Sequence, residues 1–407
     1  MKYPAKRDQA QHLRPIPSAS CRKKTTFQTE NPRQPEVMLP KGHALQEVFR
    51  SLNHVKVTYV RIPIRIAIIF VFLSQLIIGS MVNARPDDPH QLQQQQLAML
   101  RAQDERVARI GWRLATANRA LCPVTFSATG ITLHTLSQYD RRWRKAAASQ
   151  FGLGEIYPGI LAVVPASPAW IAGLRPDDAI VSIGGADLAA LATPRADRRA
   201  SYAASDSAMR LLEDAPPGQP LEIVALRGTD RVSLVVVPVA SCASRFEIKP
   251  SAQANANANG RVVQVFGELV TRLDRDEDLA LVMAHEMAHN TLGHEAAIKE
   301  RRLATGLAAG LGGSGRILRG FEREADRLGL YLAARADFSI AEAPGLWSRA
   351  GIGAGLSAWI AATHPAPDDR SRAAEATVAE IARLTKEGRD LVPEGFAGQV
   401  SPGPAAD

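Results

Sequence analysis

The residues whose types and spacing are best suited to chemistry are His285, Glu286 and His289, in the run HEMAH. The preceding residues show a capping-box pattern that starts at Asp274, and they predict a helix over residues 275–292. Two histidines four residues apart lie on one face of a helix, so both imidazoles can bind a single Zn²⁺. Glu286 lies beside them and is suited to act as a general base towards water at such a site.

A third ligand is predicted in a second helical segment, FEREAD, residues 321–326. Glu322 and Asp326 stand four residues apart, which suits Glu322 as a ligand and Asp326 as the acceptor for the other ring N–H of a ligand histidine. Glu324 points to another face and is the weaker candidate. His294 is one position out of register with the third histidine of a metzincin site, so that class is excluded. The expected cofactor is one zinc ion per chain.

The positive charge of the chain is concentrated near its N-terminus. The formal net charge is +8, and residues 1–65 hold 13 lysine and arginine residues against 4 acidic residues. The remainder is therefore close to neutral and offers no basic footprint for nucleic acid. We expect no nucleic-acid partner. Because a cleavable signal so far into a chain is unusual, we expect residues 1–37 to precede the true start and Met38 to be the real initiator.

An uncharged apolar run over residues 66–82 follows this basic segment and precedes Arg85. It is shorter than the ~20 residues that a spanning helix prefers. Val82 and Ala84 occupy the −3 and −1 positions of a signal-peptidase site. Residues 61–84 are therefore interpreted as a signal peptide, with an uncleaved anchor that associates with the membrane as the alternative. Both predict export to the periplasm or to the outer face of the inner membrane.

Cys122 and Cys242 form an even pair in the exported part, where disulfides persist, so we expect them to be bonded. Two separate buried thiols are the alternative. One amphipathic helix precedes Cys122. Between the cysteines the pattern changes to short alternating or β-branched runs, interrupted by one helix over Ser205 to Glu213. The disulfide would fix the base of an inserted domain.

Part of this insertion, GILAVVPASPAWIAGLRPDDAIVSIGG at residues 159–185, resembles the centre of a PDZ domain of the bacterial protease type. A strand is followed by SPA and AGL on a short helix and by a turn into a second strand, with Asp177 where glycine is usual. The resemblance implies that an extended peptide adds beside a groove strand, with its C-terminal carboxylate held by the preceding loop. By this resemblance the loop is Tyr157, Pro158, Gly159 and Ile160, and the facing helix offers Ala208, Leu211 and Leu212.

HEMAH with EREAD resembles metallopeptidase family 48, the gluzincins that include CAAX prenyl proteases, heat-shock membrane proteases and periplasmic outer-membrane quality-control proteases. Residues 255–282 resemble the edge strand and the lead-in to the zinc helix of that family, and THPAPDDR at residues 363–370 resembles its late His-Pro motif. The resemblance covers about residues 95–122 and 243–387. By position it implies His285, His289 and Glu322 as zinc ligands, Glu286 as catalytic base, Asp326 behind a ligand histidine and His364 near the active site.

The resemblance implies a zinc endopeptidase that cleaves unfolded or exported envelope proteins, which the PDZ-like domain engages through C-terminal tails. His364 is the candidate donor to the oxyanion, and the alternatives are a structural loop residue or a cover for the zinc. The strand near Arg261 to Phe266 is expected to offer its edge to substrate. A non-catalytic peptide-binding or chaperone-like scaffold is the other interpretation, but a scaffold has no need of Glu286.

The expected fold class is α+β, with a mainly helical gluzincin domain that has a small β-sheet and an inserted PDZ-like β-rich domain. Residues 303–315 carry no charge and are interpreted as a flexible loop or as a lid or membrane-touching element. The predicted boundaries are a basic disordered leader at 1–60, the signal at 61–84, the N-terminal helix of the peptidase domain at 85–125, the PDZ-like domain at 126–240, the zinc-peptidase domain at 241–390 and a disordered tail at 391–407.

Overall fold

The structure, a computed structural model, describes residues 89–191, 200–305, 308–309, 313–350 and 364–396. The predicted leader and signal, most of the predicted tail and part of the apolar run at 303–315 lie outside the described residues. The chain divides into two units at Asn83 and Ala84, and every described residue belongs to the second. Within the described ranges, none of the helices has the length and apolarity needed to span a bilayer.

A long helix, α1 (Pro89–Ala117), begins the described chain. Its apolar residues Leu97, Val107, Ile110 and Leu114 recur at helical spacing, and all four are buried. The helix packs against a strand of the inserted domain and a strand of the C-terminal part. It is therefore the element shared by both parts.

The inserted domain is built mainly of antiparallel strands. Its elements are β1 (Thr125–Ala128), β2 (Ile131–His134), α2 (Arg141–Phe151), β3 (Gly159–Val163), α3 (Pro168–Ala172), β4 (Ala179–Ile183), β5 (Ala186–Asp187), α4 (Ala203–Glu213), β6 (Leu221–Arg227), β7 (Asp230–Val236) and β8 (Val239–Cys242). The main sheet has the order β2-β3-β4-β6-β7, with β5 beside β4. The core under it includes Ile160, Ile180 and Leu212, so α4 covers one face of the sheet.

The two ends of this domain meet in a two-stranded ribbon. β1 and β8 pair antiparallel, with Thr125 opposite Cys242. Directly beside them, Cys122 and Cys242 form a disulfide that closes a sequence separation of 120 residues. The predicted pairing is confirmed, and the insertion is joined at its base by both a ribbon and a covalent bond.

The C-terminal part is mainly helical. Its elements are β9 (Arg245–Lys249), β10 (Ala256–Ala258), β11 (Val262–Phe266), α5 (Gly267–Arg272), α6 (Asp276–Thr291), α7 (His294–Glu300), α8 (Ser314–Arg335), α9 (Leu346–Ala350) and α10 (Pro367–Lys386). The small sheet has the order β10-β11-β9. Together with the β-rich insertion, this arrangement confirms the α+β fold class.

The start of α6 differs from the capping box expected at Asp274. The helix begins at Asp276, and the residue before it makes no capping hydrogen bond through its side chain. Asp276 accepts hydrogen bonds from Arg106 at 2.7 Å and Arg109 at 3.0 Å, both on α1. A distant helix therefore fixes this helix start, and three acidic residues in the first turn complement the helix dipole. The predicted end is correct, because Gly293 follows the helix in the left-handed region at φ 67°.

Candidate functional site

The candidate metal centre lies between α6 and α8. His285 and His289 lie one turn apart on α6, with their Nε2 atoms 3.2 Å from each other. Glu322 on α8 faces both, with its Oε2 atom 3.5 Å from His285 Nε2 and its Oε1 atom 3.5 Å from His289 Nε2. One ligand atom from each residue falls within 4.8 Å of the other two. The structure thus brings together all three predicted ligands.

A glycine on α8 allows this close approach of the two helices. A Cβ atom added at Gly329 would lie 3.0 Å from the Cα and the backbone N of His285. Real side chains rarely pack that tightly against backbone, so a larger residue would push α8 away from α6. Gly329, about two turns after Glu322, therefore sets the separation of α6 and α8 that the three candidate ligands need.

Asp326 lies behind His285, as the spacing on α8 predicts. His285 Nδ1 is 3.0 Å from Asp326 Oδ1, so the other ring nitrogen is directed towards Glu322. Arg370, on α10, donates a hydrogen bond to Asp326 Oδ2 at 2.7 Å. The guanidinium also lies 3.5 Å above the ring of Trp347. His285 is thus oriented by a carboxylate that is itself held in place.

The donor set of this centre fits Zn²⁺. Two imidazole nitrogens and one carboxylate oxygen are the usual protein ligands of a catalytic zinc with an open position. Glu322 Oε2 is buried and accepts no hydrogen bond of normal geometry among the described residues. A buried oxygen left without a hydrogen is costly unless a cation uses it. The residues present therefore suit a zinc ion.

Charges at the site are strongly coupled. Burial disfavours the charged form of His285 and lowers its pKa. The hydrogen bonds and negative charges of Asp326 and Glu322 outweigh that effect, so the pKa of His285 is raised to about 10. Burial, followed by the charge of His285, lowers the pKa of His289 to about 3. Burial opposes the charge of Glu322 too, yet its close contact with the His285 ring holds the pKa of Glu322 below the ordinary value. The carboxylates thus favour one positive charge here, which either a proton or a metal ion can supply.

Glu286 lies on the turn between the two histidines. Burial is the main cause that raises its pKa to about 7, and Glu322 and Asp326 add to the rise against His285 and Arg370. A carboxyl group with a pKa near neutrality can both accept and return a proton at physiological pH. Its position and its pKa are those expected of a general base.

His364 lies on the outer side of Glu322. Its Nε2 atom is 3.3 Å from Glu322 Oε2, and about one third of its side chain is exposed. Thr363 and the residues before it, back to 351, lie outside the described residues. The structure therefore places the predicted residue against the ligand carboxylate itself.

From sequence, Glu324 is the weaker ligand candidate and His294 is set aside, but the structure pairs the two beside His289. His294 Nδ1 lies 2.9 Å from His289 Nδ1, and His294 Nε2 lies 3.2 Å from Glu324 Oε2. The ring of His294 stacks on Phe321 with centroids 4.3 Å apart. The available signal was the glycine at 293, because a left-handed residue there turns the chain back towards His289.

The structure corrects the predicted peptide-binding loop, Tyr157 to Ile160. That loop leads into β3, which pairs with β2 on one side and β4 on the other, so no peptide strand can be added beside it. Among the described strands the free edge of this sheet next to α4 is β2. The facing helix is placed as expected, with Ala208 and Leu212 buried and Leu211 exposed.

A second correction concerns the strand near Arg261 to Phe266, which was expected to offer its edge to substrate. β11 is the middle strand of its sheet and is paired on both sides. The edge strand of this sheet that packs against α6, the helix of His285 and His289, is β10. The edge beside the candidate metal centre is therefore that of Ala256–Ala258.

Comparisons with known proteins agree with the two resemblances. Residues 237–311 match the model of peptidase family M48, and residues 159–212 match a PDZ domain model. The first match includes HEMAH and the second runs from β3 into α4. The recognition of a family 48 metallopeptidase segment with a PDZ-like domain is confirmed.

Similar solved structures include the HtrA-type protease AlgW with a decapeptide, a serine-to-alanine variant of AlgW with a decapeptide, and AlgW with a tripeptide. Each is 24% identical and covers 29% of this chain, with TM-scores of 0.21, 0.21 and 0.20. The match spans 30%, 30% and 32% of those chains, or about a third of their length. Comparison with curated proteins gave no match.

Proposed function

We propose that this chain, which carries a peptidase family M48 segment and a PDZ domain, is a zinc-dependent endopeptidase with one zinc ion per chain. The observation that carries the proposal is the convergence of His285, His289 and Glu322 within 4.8 Å. Glu286 lies beside them with a pKa raised to about 7. A protein that only bound peptides would gain nothing from a buried carboxyl group at that position.

The residues present divide the work of peptide hydrolysis. His285, His289 and Glu322 would hold zinc, which when bound supplies a Lewis acid next to the scissile carbonyl. Glu286 takes a proton from the attacking water and returns it to the leaving nitrogen. His364 is the candidate donor to the oxyanion, and it reaches that position by leaving Glu322. At rest it covers the ligand carboxylate.

We further propose that the substrates are unfolded or exported envelope proteins, in the periplasm or at the outer face of the inner membrane. Two features favour export. One is the signal interpreted at residues 61–84, and the other is the disulfide, because disulfides persist in oxidising compartments outside the cytosol. A strand edge recognises mainly extended backbone, which unfolded chains offer. The PDZ domain then adds docking of C-terminal tails. A peptide-binding scaffold without turnover is the alternative, and the same PDZ domain would serve it.

Metal analysis and a cleavage assay on the exported protein test the proposal. Wild type should contain about one zinc per chain, and His285→Ala or Glu322→Ala should lose it. Glu286→Gln should keep zinc and fold normally but cleave an unfolded protein about 10²- to 10⁴-fold more slowly. The matched control is Glu277→Gln, an acidic residue in the first turn of the same helix.

Two outcomes would contradict the proposal. Wild type without zinc would remove the metal and every step that depends on it. If zinc-loaded wild type cleaves no faster than Glu286→Gln, the protein is better explained as a peptide-binding scaffold without turnover.

A further inference from the structure

A cavity of about 860 Å³ separates the PDZ-like domain from helix α1. One wall consists of residues 126–134, which include β1, its turn and β2, together with α4. The other wall is one face of α1 and the strand β9. None of the candidate zinc ligands lines this cavity, so it is a separate site.

The β2 wall is suited to extended peptide. β2 pairs antiparallel with β3 along one edge, and no described strand pairs with the other edge. A peptide added there antiparallel would direct its C-terminus to the turn at Gly130, which has a φ of 84°. Ser127, only 2% exposed, also lines the cavity near this turn. Its Oγ has no hydrogen-bond partner among the described residues.

Acidic side chains outnumber basic ones in the lining of this cavity. Asp104 on α1 and Glu247 on β9 both line it, within a set of six acidic and three basic side chains. Of the basic ones, Arg245 donates to Asp206 at 2.7 Å and to Glu213 at 2.9 Å. Lys249 lies over the ring of Phe266 at 4.5 Å. These two cations therefore have other partners, and the third, Arg142 on α2, is exposed.

Asp104 and Glu247 have no cation of their own. No described lysine or arginine forms an ion pair with either, and the hydrogen-bond donor to Glu247 is the neutral amide of Gln264 at 2.6 Å. Burial, with repulsion from Glu247, raises the pKa of Asp104 to about 8. Burial likewise raises the pKa of Glu247, against Gln264 and Arg245. A cation placed between these carboxyls would remove the cost of their charge.

Asp104 lies near the His134 end of β2. It follows Arg101 by one turn of α1, and the Arg101 guanidinium lies over the ring of Phe151 at 4.7 Å. The Phe151 ring in turn contacts that of His134, with centroids 5.1 Å apart. The Tyr139 hydroxyl lies 2.9 Å from His134 Nδ1, at the end of β2 opposite Gly130. With a strand rise of about 3.4 Å per residue, that end lies about two to four residues upstream of a C-terminus held at the turn.

We propose that this cavity binds extended C-terminal segments in which a lysine or arginine, two to four residues before the end, is placed between Asp104 and Glu247. The inference rests on the peptide docking in the proposed function and adds the sequence class that docks. A neutral side chain of the same length leaves both carboxyls without a cation, and an acidic one is repelled. Close charge pairs at interfaces change binding by about 10-fold or more.

Peptide binding to the full-length, zinc-loaded Glu286→Gln protein tests this inference without cleavage. Fluorescein-labelled decapeptides with lysine, norleucine or glutamate three residues before a free C-terminus are compared by anisotropy. The lysine peptide should bind at least about 10-fold more tightly than the norleucine peptide. Adding Asp104→Asn and Glu247→Gln should abolish that preference, so that the lysine and norleucine peptides bind with equal affinity. The control Asp230→Asn, an exposed carboxylate on β7 outside the cavity, should keep it.

Each other outcome overturns the inference. Equal affinity for lysine and norleucine peptides, no binding of either, or a preference that survives both substitutions would remove the basic subsite. If the double variant does not fold, the two single substitutions are compared in its place, and each should weaken the preference. The enzyme proposal is tested separately, because wild type is assayed for zinc-dependent cleavage. Cleavage without a lysine preference contradicts only the inference, whereas a lysine preference without cleavage contradicts only the enzyme.

Discussion

His294 extends the candidate metal centre by one residue beyond the three candidate ligands. Its Nδ1 lies 2.9 Å from His289 Nδ1, so a proton shared there leaves His289 Nε2 free towards His285 and Glu322. Glu324 Oε2, 3.2 Å from His294 Nε2, completes the chain of hydrogen bonds. Groups that orient a ligand histidine in this way change metal affinity strongly.

We therefore expect His294→Ala to weaken zinc binding about 10- to 100-fold without unfolding the protein. Glu324→Gln should have a smaller effect in the same direction, because an amide oxygen can still accept from His294. Competition with a zinc chelator gives the affinity, and circular dichroism checks the fold. The control is Glu300→Gln, at the end of the same short helix α7. Unchanged zinc affinity in His294→Ala would show that the ring only packs against Phe321.

Asp104 predicts a pH dependence of stability. Its pKa is about 8 in the folded chain, against 3.8 for the free side chain, because burial opposes its charge. The folded state thus holds a proton that the unfolded state releases. The contribution of this proton to the free energy of unfolding is fully present below about pH 4. It is lost as the pH rises towards 8, at up to ~1.4 kcal/mol per pH unit.

Asp104→Asn should remove this dependence and raise the free energy of unfolding at pH 8 relative to wild type. At pH 4 the two proteins should be nearly equal. Chemical denaturation at both pH values measures the difference, and comparing variant with wild type cancels the other titrating groups. Parallel curves for the two proteins would contradict the burial of a protonated carboxyl.

At the scale of elements, the contact between α6 and α8 depends on Gly329. We expect Gly329→Ala to cost about 1–3 kcal/mol of stability and to weaken zinc binding, because the new methyl group meets the backbone of His285 at 3.0 Å. Gly320→Ala on the same helix is the matched control. Nothing lies within 4 Å of a Cβ there, so it should be neutral or stabilising by about 0.5–1 kcal/mol. Thermal unfolding and zinc titration of both variants measure the effects, and equal behaviour would contradict the packing argument.

The disulfide holds together the two ends of the insertion beside the ribbon of β1 and β8. Mass mapping of exported protein without reduction should find Cys122 joined to Cys242. Replacing both by alanine should lower the free energy of unfolding by up to about 5 kcal/mol, because the bond closes a loop of 120 residues. Free thiols at both positions in folded, exported protein would contradict this prediction.

Features written in short stretches of sequence could be predicted, and features set by distant partners could not. The ligand spacing on α6, its end at Gly293 and the carboxylates on α8 depend on neighbours within a few turns. The start of α6 depends on Arg106 and Arg109, which lie about 170 residues away in the chain. The groove strand was misplaced because the SPA and AGL pattern identifies β3, whereas sheet order decides which strand is the edge.

At the scale of the whole molecule, α1 joins the two sites. It packs against β3 of the insertion and β9 of the peptidase part, and Arg101 forms an ion pair with Asp177 across the boundary. The disulfide and the β1–β8 ribbon hold the base of the insertion. An insertion fixed in this way favours a tether, which keeps a docked substrate at raised effective concentration near the zinc site. A switch, in which the insertion obstructs the cleft until peptide binds, would need larger movements.

The tether and the switch predict opposite signs in one experiment on the intact protein. A short C-terminal peptide with a lysine three residues from its end is added in trans during cleavage. Under the tether it competes for the cavity, so it should raise the KM for a substrate with the same tail, leave kcat unchanged and not affect a short untailed substrate. Under the switch it should accelerate cleavage of the untailed substrate. The norleucine version of the peptide is the matched control and should act only at about 10-fold higher concentration. Activation of the untailed substrate by the lysine peptide would refute the tether, because occupancy of the cavity would then change the zinc site itself.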